Sequence, residues 1–387
     1  MDKIITLRLA SHGLIGWWFS SVESAVRHMG CIQSQDIGQA TRCVGSRIPW
    51  STKQDVRQAL TDGKIIRTRP MRGTLHYMAP ENVHRMLDLC ASKTLTGFAK
   101  RREFLWISDK HAEQALDIID SALRGGKSLT RTQLGQSLQD WWIPMQAQRI
   151  YHLTCYAATR KLICFGPPMD KEETFVLLDE RVDKPLKLNY DEQLAALATM
   201  YIRGHGPVTV DDLARWCGLG KTVCKQAIAS IASECETIEY HGKTYYYLKT
   251  VTSNTVRSIG DNEQNNTYTS RRSPQQVRGK HSSKWQVLLL WWFDEYFLGY
   301  KDRSIVADTA HYEKMFTKNG IFFPLIIVDG RVVWVWKRSW KKDSCIFDIQ
   351  LLPNTSSRAQ SRDLKTQLEI AAQDYATFWG VQNILFA

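Results

Sequence analysis

Apolar positions along the chain switch between the helical period and the strand period, and three stretches make the switch in the same way. Each runs from a Ser or Thr through a short amphipathic helix to a turn and a basic or aromatic hairpin. The clearest is "GPVTVDDLARWCGLGKTVCKQAIASI", residues 206 to 231. Thr209 predicts an N-cap, with Asp212 in the place that a capping box gives to Glu. Leu213 and Trp216 share a face, Gly218 and Gly220 break the chain, and Lys221 to Ile231 predicts a second helix. Helix, glycine turn and helix make a helix-turn-helix unit. The following "IEYHGKTYYYL" predicts a wing, two alternating strands about a His241-Gly242 turn.

The other two stretches are looser. In "TKQDVRQALTDGKIIRTRPMRGTLHYMAP", Ser51 predicts the cap, Val56 and Leu60 the apolar face, and Gly63 the helix stop. A hairpin follows, with Arg67, Arg69 and Arg72 near its turn. "LTRTQLGQSLQDWW", at 129 to 142, leads into a long helix and the hairpin "ICFGPPMDKEETFVLL". The repetition is one of structure, with no strict period. Residues 251 to 284 are nearly free of large aliphatics and predict a flexible basic linker. Beyond it, strand runs flank an Asp329-Gly330 turn, and "RDLKTQLEIAAQDYATFWG" predicts a closing helix. The expected organisation is three helix-and-hairpin modules at 1–105, 106–187 and 188–250, the linker at 251–284, and a β-rich region with a terminal helix at 285–387.

Composition narrows the partners. The 387 residues hold 51 Lys and Arg against 39 Asp and Glu, a net charge of +12. Such an excess points to a polyanion, either nucleic acid or an anionic membrane surface. No apolar run approaches the roughly 20 residues of a membrane span, and the N-terminus lacks a charged segment followed by a long apolar one. The expectation is a cytoplasmic protein. Nine cysteines with no C-x-x-C pair disfavour a disulfide framework and a zinc site. The glycine-rich phosphate motifs, H-E-x-x-H and G-x-S-x-G are all missing, so no metal and no cofactor are expected.

Several residues remain as candidates. Trp17-Trp18, Trp141-Trp142 and Trp291-Trp292 offer faces for base stacking, but one member of such a pair is more often core and the other a cover for a domain seam. Asp294 and Glu295, read as strand neighbours, point to opposite faces, so an ion pair with Lys301 or Arg303 is expected rather than acid–base work. Arg67 and Arg69, two apart on a strand, favour phosphate contact by the hairpin, the alternative being a solvated basic turn. His76 reads more readily as a packed histidine than as a catalytic one. In "GCIQSQDIG", Gln33 and Gln35 lie on one side of an extended chain and converge their amides, or else they cap a helix or face water.

Five segments in order, "MGCIQSQD", "RPMRGTLHYMAPEN", "RGHGPVTVDDLARWCGL", "FDEYFLGYKDR" and "NGIFFPLIIVDGRVVWVWKR", resemble the winged-helix DNA glycosylases, the AlkZ-like and YcaQ-like proteins. The resemblance runs from about residue 7 to the end, apart from the linker. It implies an α+β fold of tandem winged-helix domains followed by a small C-terminal β-barrel around a DNA channel. Gln33-Ser34-Gln35 matches the Q-x-Q catalytic motif of the AlkZ-like branch, which is linked to removal of bulky alkylpurines and unhooking of interstrand crosslinks. The chain departs from the family pattern in the 251–284 tract, longer than the corresponding family loop, and at three residues. Ser34 replaces an apolar residue, Trp291 a proline and Trp334 a glycine.

The resemblance also implies a chemistry. A purine alkylated at N7 or N3 is cationic and already a good leaving group, so the enzyme need only hold a water and tolerate an oxocarbenium-like cation. A glutamine carbonyl does both without changing protonation state. The expected function is a monofunctional glycosylase, acting as a monomer on double-stranded DNA with alkylated purines, with Gln33 and Gln35 catalytic. Arg67, Arg69, Arg72, His76, Lys221, Lys225 and Arg303 are the expected DNA contacts. The rival reading is a non-catalytic winged-helix DNA-binding regulator.

Overall fold

Turn chemistry sets the hairpins. His241 and Gly242 (φ 48° and 69°) and Asp329 and Gly330 (49° and 80°) both adopt the left-handed backbone that a two-residue hairpin turn requires. The computed structural model describes residues 2–15, 19–139, 147–169, 172–184, 187–251, 287–317, 321–341, 343–352 and 362–387. Trp17-Trp18, Trp141-Trp142 and all of the expected linker except its first residue, Val251, lie outside the described residues.

Six strands form one antiparallel sheet: β1 (Cys31–Gln33), β2 (Ile66–Met71), β3 (Thr74–Met78), β4 (Leu129–Thr130), β5 (Ile163–Phe165) and β6 (Thr174–Leu177). Their order is β1-β3-β2-β5-β6-β4. The hairpins of the first two helix-and-hairpin stretches are thus joined edge to edge, through the pairing of Arg67 with Phe165. A pair of unpaired strand edges is removed in this way. The helix Lys53–Thr61 starts at Thr52, one residue after the expected Ser51, in a capping box with Asp55.

The third stretch matches its reading closely. Thr209 caps the helix Val210–Cys217 in a box with Asp212, and Gly218 ends it at φ 81°. The helix Lys221–Ala229 follows, then β7 (Cys235–Tyr240) paired with β8 (Lys243–Leu248). Leu213, Trp216, Cys224 and Ile228 from both helices enter a core shared with the helix Tyr190–His205 and with Cys31, Ile66 and Met78 of the six-stranded sheet.

The C-terminal strands correct one expectation. β9 (Val287–Leu290), β10 (Leu325–Val328), β11 (Arg331–Lys341), β12 (Ser344–Leu351) and β13 (Asn383–Phe386) form a sheet in the order β13-β12-β11-β10-β9. Its first and last strands do not meet, so the sheet is an open half-barrel rather than a closed barrel. The helix Arg362–Phe378 covers one face, placing Leu364, Tyr375 and Ala376 against Trp291, Trp334, Trp336 and Phe347. Trp291 and Trp334, two departures from the family pattern, both lie in this layer. The other face packs on Ile4, Ile5 and Leu9 of the N-terminal helix Lys3–Ser11. Both faces are covered, which accounts for the near-continuous apolar runs of these strands.

Candidate active site

Glycine opens the site. Gly30, at φ 79°, caps the helix Val22–Met29, and the chain enters β1 at once. Gln33 is the last residue of that strand, and Gln35 sits beyond it in a bend before Asp36, which caps the helix Ile37–Gly45. The strand alternation expected for the two glutamines therefore stops between them. A side chain continues the ladder instead. Ser34 N donates to Leu75 O at 2.7 Å, and Leu75 N donates to the Gln35 side-chain carbonyl Oε1 at 3.2 Å. Gln33 is 8% exposed and Ser34 is fully buried, whereas Gln35 faces solvent.

The intervening peptide is held from both sides. Arg67 donates from Nε (3.2 Å) and Nη2 (3.0 Å) to Ser34 O, while its Nη1 pairs with Glu173 Oε1 at 2.6 Å. Its guanidinium also lies 4.4 Å from the Phe165 ring centroid. From the other side, Gln33 N donates to Glu295 Oε1 at 2.9 Å. The Q-x-Q backbone is thus fixed by an arginine of β2 and a carboxylate 262 residues away.

Asp294 and Glu295 are not strand neighbours, as their spacing suggested. Asp294 caps the short helix Glu295–Leu298, and both carboxylates are about 1% exposed. Their partners are neither Lys301 nor Arg303. Asp294 takes a two-pronged ion pair from Arg47 at 2.9 and 3.0 Å, and Glu295 Oε2 faces His205 Nε2 at 3.4 Å. Burial pushes the Glu295 pKa up, but the hydrogen bond and charge of His205 and the Gln33 N–H hold it below the usual carboxylate range. The Arg47 guanidinium does the same for Asp294. A buried anion therefore stands directly behind Gln33.

This arrangement can fix a carboxamide, shelter it and place negative charge near it. Among the described residues, no group of three or more His, Cys, Asp or Glu side chains is placed to hold a metal. Comparison with protein families matches residues 26–378 to the AlkZ-like DNA glycosylases. The chain belongs to the AlkZ-like DNA glycosylase family. It is an enzyme, a DNA glycosylase, and the family match does not favour a non-catalytic regulator. A curated relative, the interstrand DNA cross-link repair glycosylase of Streptomyces sahachiroi, is 24% identical over 336 residues, 82% of each chain. The solved structure of Streptomyces sahachiroi DNA glycosylase AlkZ superposes with a TM-score of 0.75, covering 99% of this chain and 98% of that one at 19% identity. That likeness shows a shared α+β fold.

Within this AlkZ-like chain the expected DNA contacts separate into two groups. Arg67 and His76 lie beside the glutamines, His76 directly opposite Gln33 across the sheet. Arg67 and Arg69 are buried, and their guanidiniums are committed to protein, Arg69 to Gly73 O and the Tyr151 hydroxyl at 2.6 and 3.0 Å. Their burial does not fit the solvated basic turn that the sequence left as the alternative. Arg72, with φ 52°, reaches Arg215 O at 3.4 Å and so ties the hairpin to the helix-turn-helix unit. Lys221 pairs with Asp211 at 2.6 Å, Lys225 is exposed, and Arg303 donates to Phe297 O at 2.7 Å. These three stand on elements apart from the glutamine bend. A cavity of about 1030 Å³, lined in part by Arg131, Tyr151 and Glu173, opens beside the Arg67–Glu173 pair. Glu173 and Tyr151 escaped the sequence reading, and Glu295 was given the wrong partners, because the true partners are distant in the chain. The signal available for Glu295 was its place in "FDEYFLGYKDR", a segment too apolar for a free carboxylate. No described helix is long and apolar enough to cross a membrane.

Proposed function

We propose that this glycosylase hydrolyses the N-glycosidic bond of cationic N-alkylpurines in double-stranded DNA, and unhooks interstrand crosslinks made through such bases, with Gln33 and Gln35 at the reaction centre. The observation that carries this reading is the clamped Q-x-Q backbone, with the neutral Gln33 carboxamide sheltered and an ionised carboxylate behind it. The C1′–N bond breaks with its electron pair passing to the purine, which neutralises the alkylated ring. Positive charge develops on the sugar, where the Gln33 carbonyl and the field of Glu295 lower its energy. A water held by the glutamines adds to C1′ and releases its proton to solvent. These groups supply no acid strong enough to expel a neutral purine, so selectivity for charged lesions follows. The name of the Streptomyces sahachiroi relative, a cross-link repair glycosylase, supports the wider substrate class. The two helices, turn and hairpin of 209–248 support a winged-helix mode of DNA contact.

Release of 7-methylguanine, or unhooking of a nitrogen-mustard crosslink, by the purified protein is the direct test. Replacing both residues (Gln33→Ala with Gln35→Ala) is expected to lower the rate on the order of 10²-fold or more, with DNA binding retained. Undiminished activity in that double variant would mean that the reaction centre lies elsewhere.

A further inference from the structure

Gln33 shares one face of the sheet with two polar residues that the family motif does not include. It pairs directly with His76 of β3, and His76 pairs directly with Thr68 of β2. Directly opposed residues of antiparallel strands project to the same side, so the three side chains form a row. His76 and Thr68 are fully buried. Each nevertheless keeps hydrogen-bonding capacity unused, because His76 Nε2 and Thr68 Oγ1 have no partner among the described residues. Beyond its strand ladder, Gln33 makes one bond among those residues, from its main-chain N–H to Glu295. Buried polar atoms are ordinarily satisfied, so two orphans beside an uncommitted carboxamide point to a shared purpose.

The tautomer of His76 follows from geometry. Its Nδ1 lies 3.0 Å from Thr74 O, and a carbonyl oxygen only accepts. Nδ1 therefore carries the hydrogen, and Nε2 of the neutral ring is an acceptor. Burial lowers the pKa to about 4, Arg72 and Arg69 push the same way, and Glu295 opposes them. The ring is thus neutral at pH 7.

We propose that His76 is a positioning residue for the Gln33 carboxamide: Nε2 accepts from a water that it shares with Thr68 Oγ1 and that accepts in turn from the Gln33 amide NH2, and so turns the Gln33 carbonyl toward the substrate. A carboxamide has two ends of similar shape and opposite polarity. Only the carbonyl end accepts from a water and faces a cation favourably; the NH2 end would repel the developing charge. An acceptor beneath the amide selects the useful orientation, and a donor there would reverse it. The inference rests on the reading of Gln33 given above.

Two variants and one spectrum test it. His76→Phe keeps a ring and removes the acceptor, whereas His76→Gln places a carbonyl at similar reach. With 7-methylguanine-containing duplex, His76→Phe is expected to bind DNA as wild type and to lose about 10- to 100-fold in single-turnover rate. His76→Gln, with a Tm matching that of His76→Phe, recovers most of that loss. A His76→Phe enzyme as fast as wild type, or a His76→Gln enzyme as slow as His76→Phe, overturns the proposal. If neither variant folds, 15N-histidine spectra of the wild-type protein at pH 7 decide. A protonated Nε2 overturns the proposal and an unprotonated Nε2 supports it. Failure of wild type to release 7-methylguanine would instead overturn the substrate assignment, and the spectrum still tests His76.

Discussion

Arg67 makes three hydrogen bonds, and two of them converge on the single carbonyl between the glutamines. The guanidinium fork suits that task, since its Nε and Nη2 point in the same direction. A lysine would supply one point charge and leave the remaining acceptors unmet. Arg67→Ala is therefore expected to cost about 2–4 kcal/mol in stability, because Ser34 O and Glu173 both lose a charged donor. Urea denaturation measures this, and glycosylase activity should fall with it while the salt dependence of DNA binding stays unchanged. A phosphate-contacting arginine would do the reverse, reducing the salt slope by about one with little change in stability. The sequence placed Arg67, Arg69 and Arg72 near the hairpin, but two arginines on one strand face look alike whether the face meets DNA or protein. What such a face packs against depends on burial, and burial is not local.

Elements that close on themselves were the legible ones. The Thr209–Asp212 box joins residues three apart, so spacing alone revealed it, and Gly218, Gly242 and Gly330 marked turns because their backbone requires φ > 0. The structure adds a second duty to this cap. Asp212 Oδ2 accepts from Thr209 N at 2.9 Å, while Oδ1 accepts from Lys301 N at 2.8 Å and the carboxylate lies 4.0 Å from buried Arg8. Thr209→Ala removes a hydroxyl cap and is expected to cost about 1 kcal/mol. Asp212→Ala also strands the Lys301 N–H and Arg8, so about 2–4 kcal/mol is expected. Denaturation midpoints of the two variants check the order. Equal losses would mean that the contact with the C-terminal region contributes nothing.

At the scale of the whole molecule, His12, His28, His76 and His152 are buried in neutral form among the described residues. Burial lowers the pKa of His28 to about 3, of His76 and His152 to about 4, and of His12 well below its ordinary value. Cations add to the effect, Arg47 and Arg8 at His12, Arg203 at His28, Arg72 at His76, and Arg102 and Arg101 at His152. An unfolded imidazole titrates near ~6.5, so the unfolded chain takes up protons first as pH falls. The stabilisation is complete above ~6.5 and is lost progressively down to the folded values. Asp294 and Glu295 have lowered pKa values and stay ionised in that window, so they do not offset the loss. A fall in Tm on the order of 5 °C or more is expected between pH 7.5 and pH 5, measured by thermal melting. A flat profile would mean that the four rings are not buried as neutral groups.

Local order was written in the chain: capping boxes, left-handed turns, amphipathic helices and the Q-x-Q motif all join residues within a few positions, where spacing and backbone geometry suffice. Tertiary structure alone decided which edges joined, that β2 meets β5, and that the C-terminal strands stop as an open sheet once a helix and the N-terminal segment cover both faces. It also decided that Gln33 rests on Glu295, 262 residues away, and that Arg67 turns inward. The physical reason is one of range. Periodicity reports which face of an element is apolar, but the partner that covers that face is chosen by packing and by the need to satisfy buried charge, and neither leaves a mark at fixed spacing.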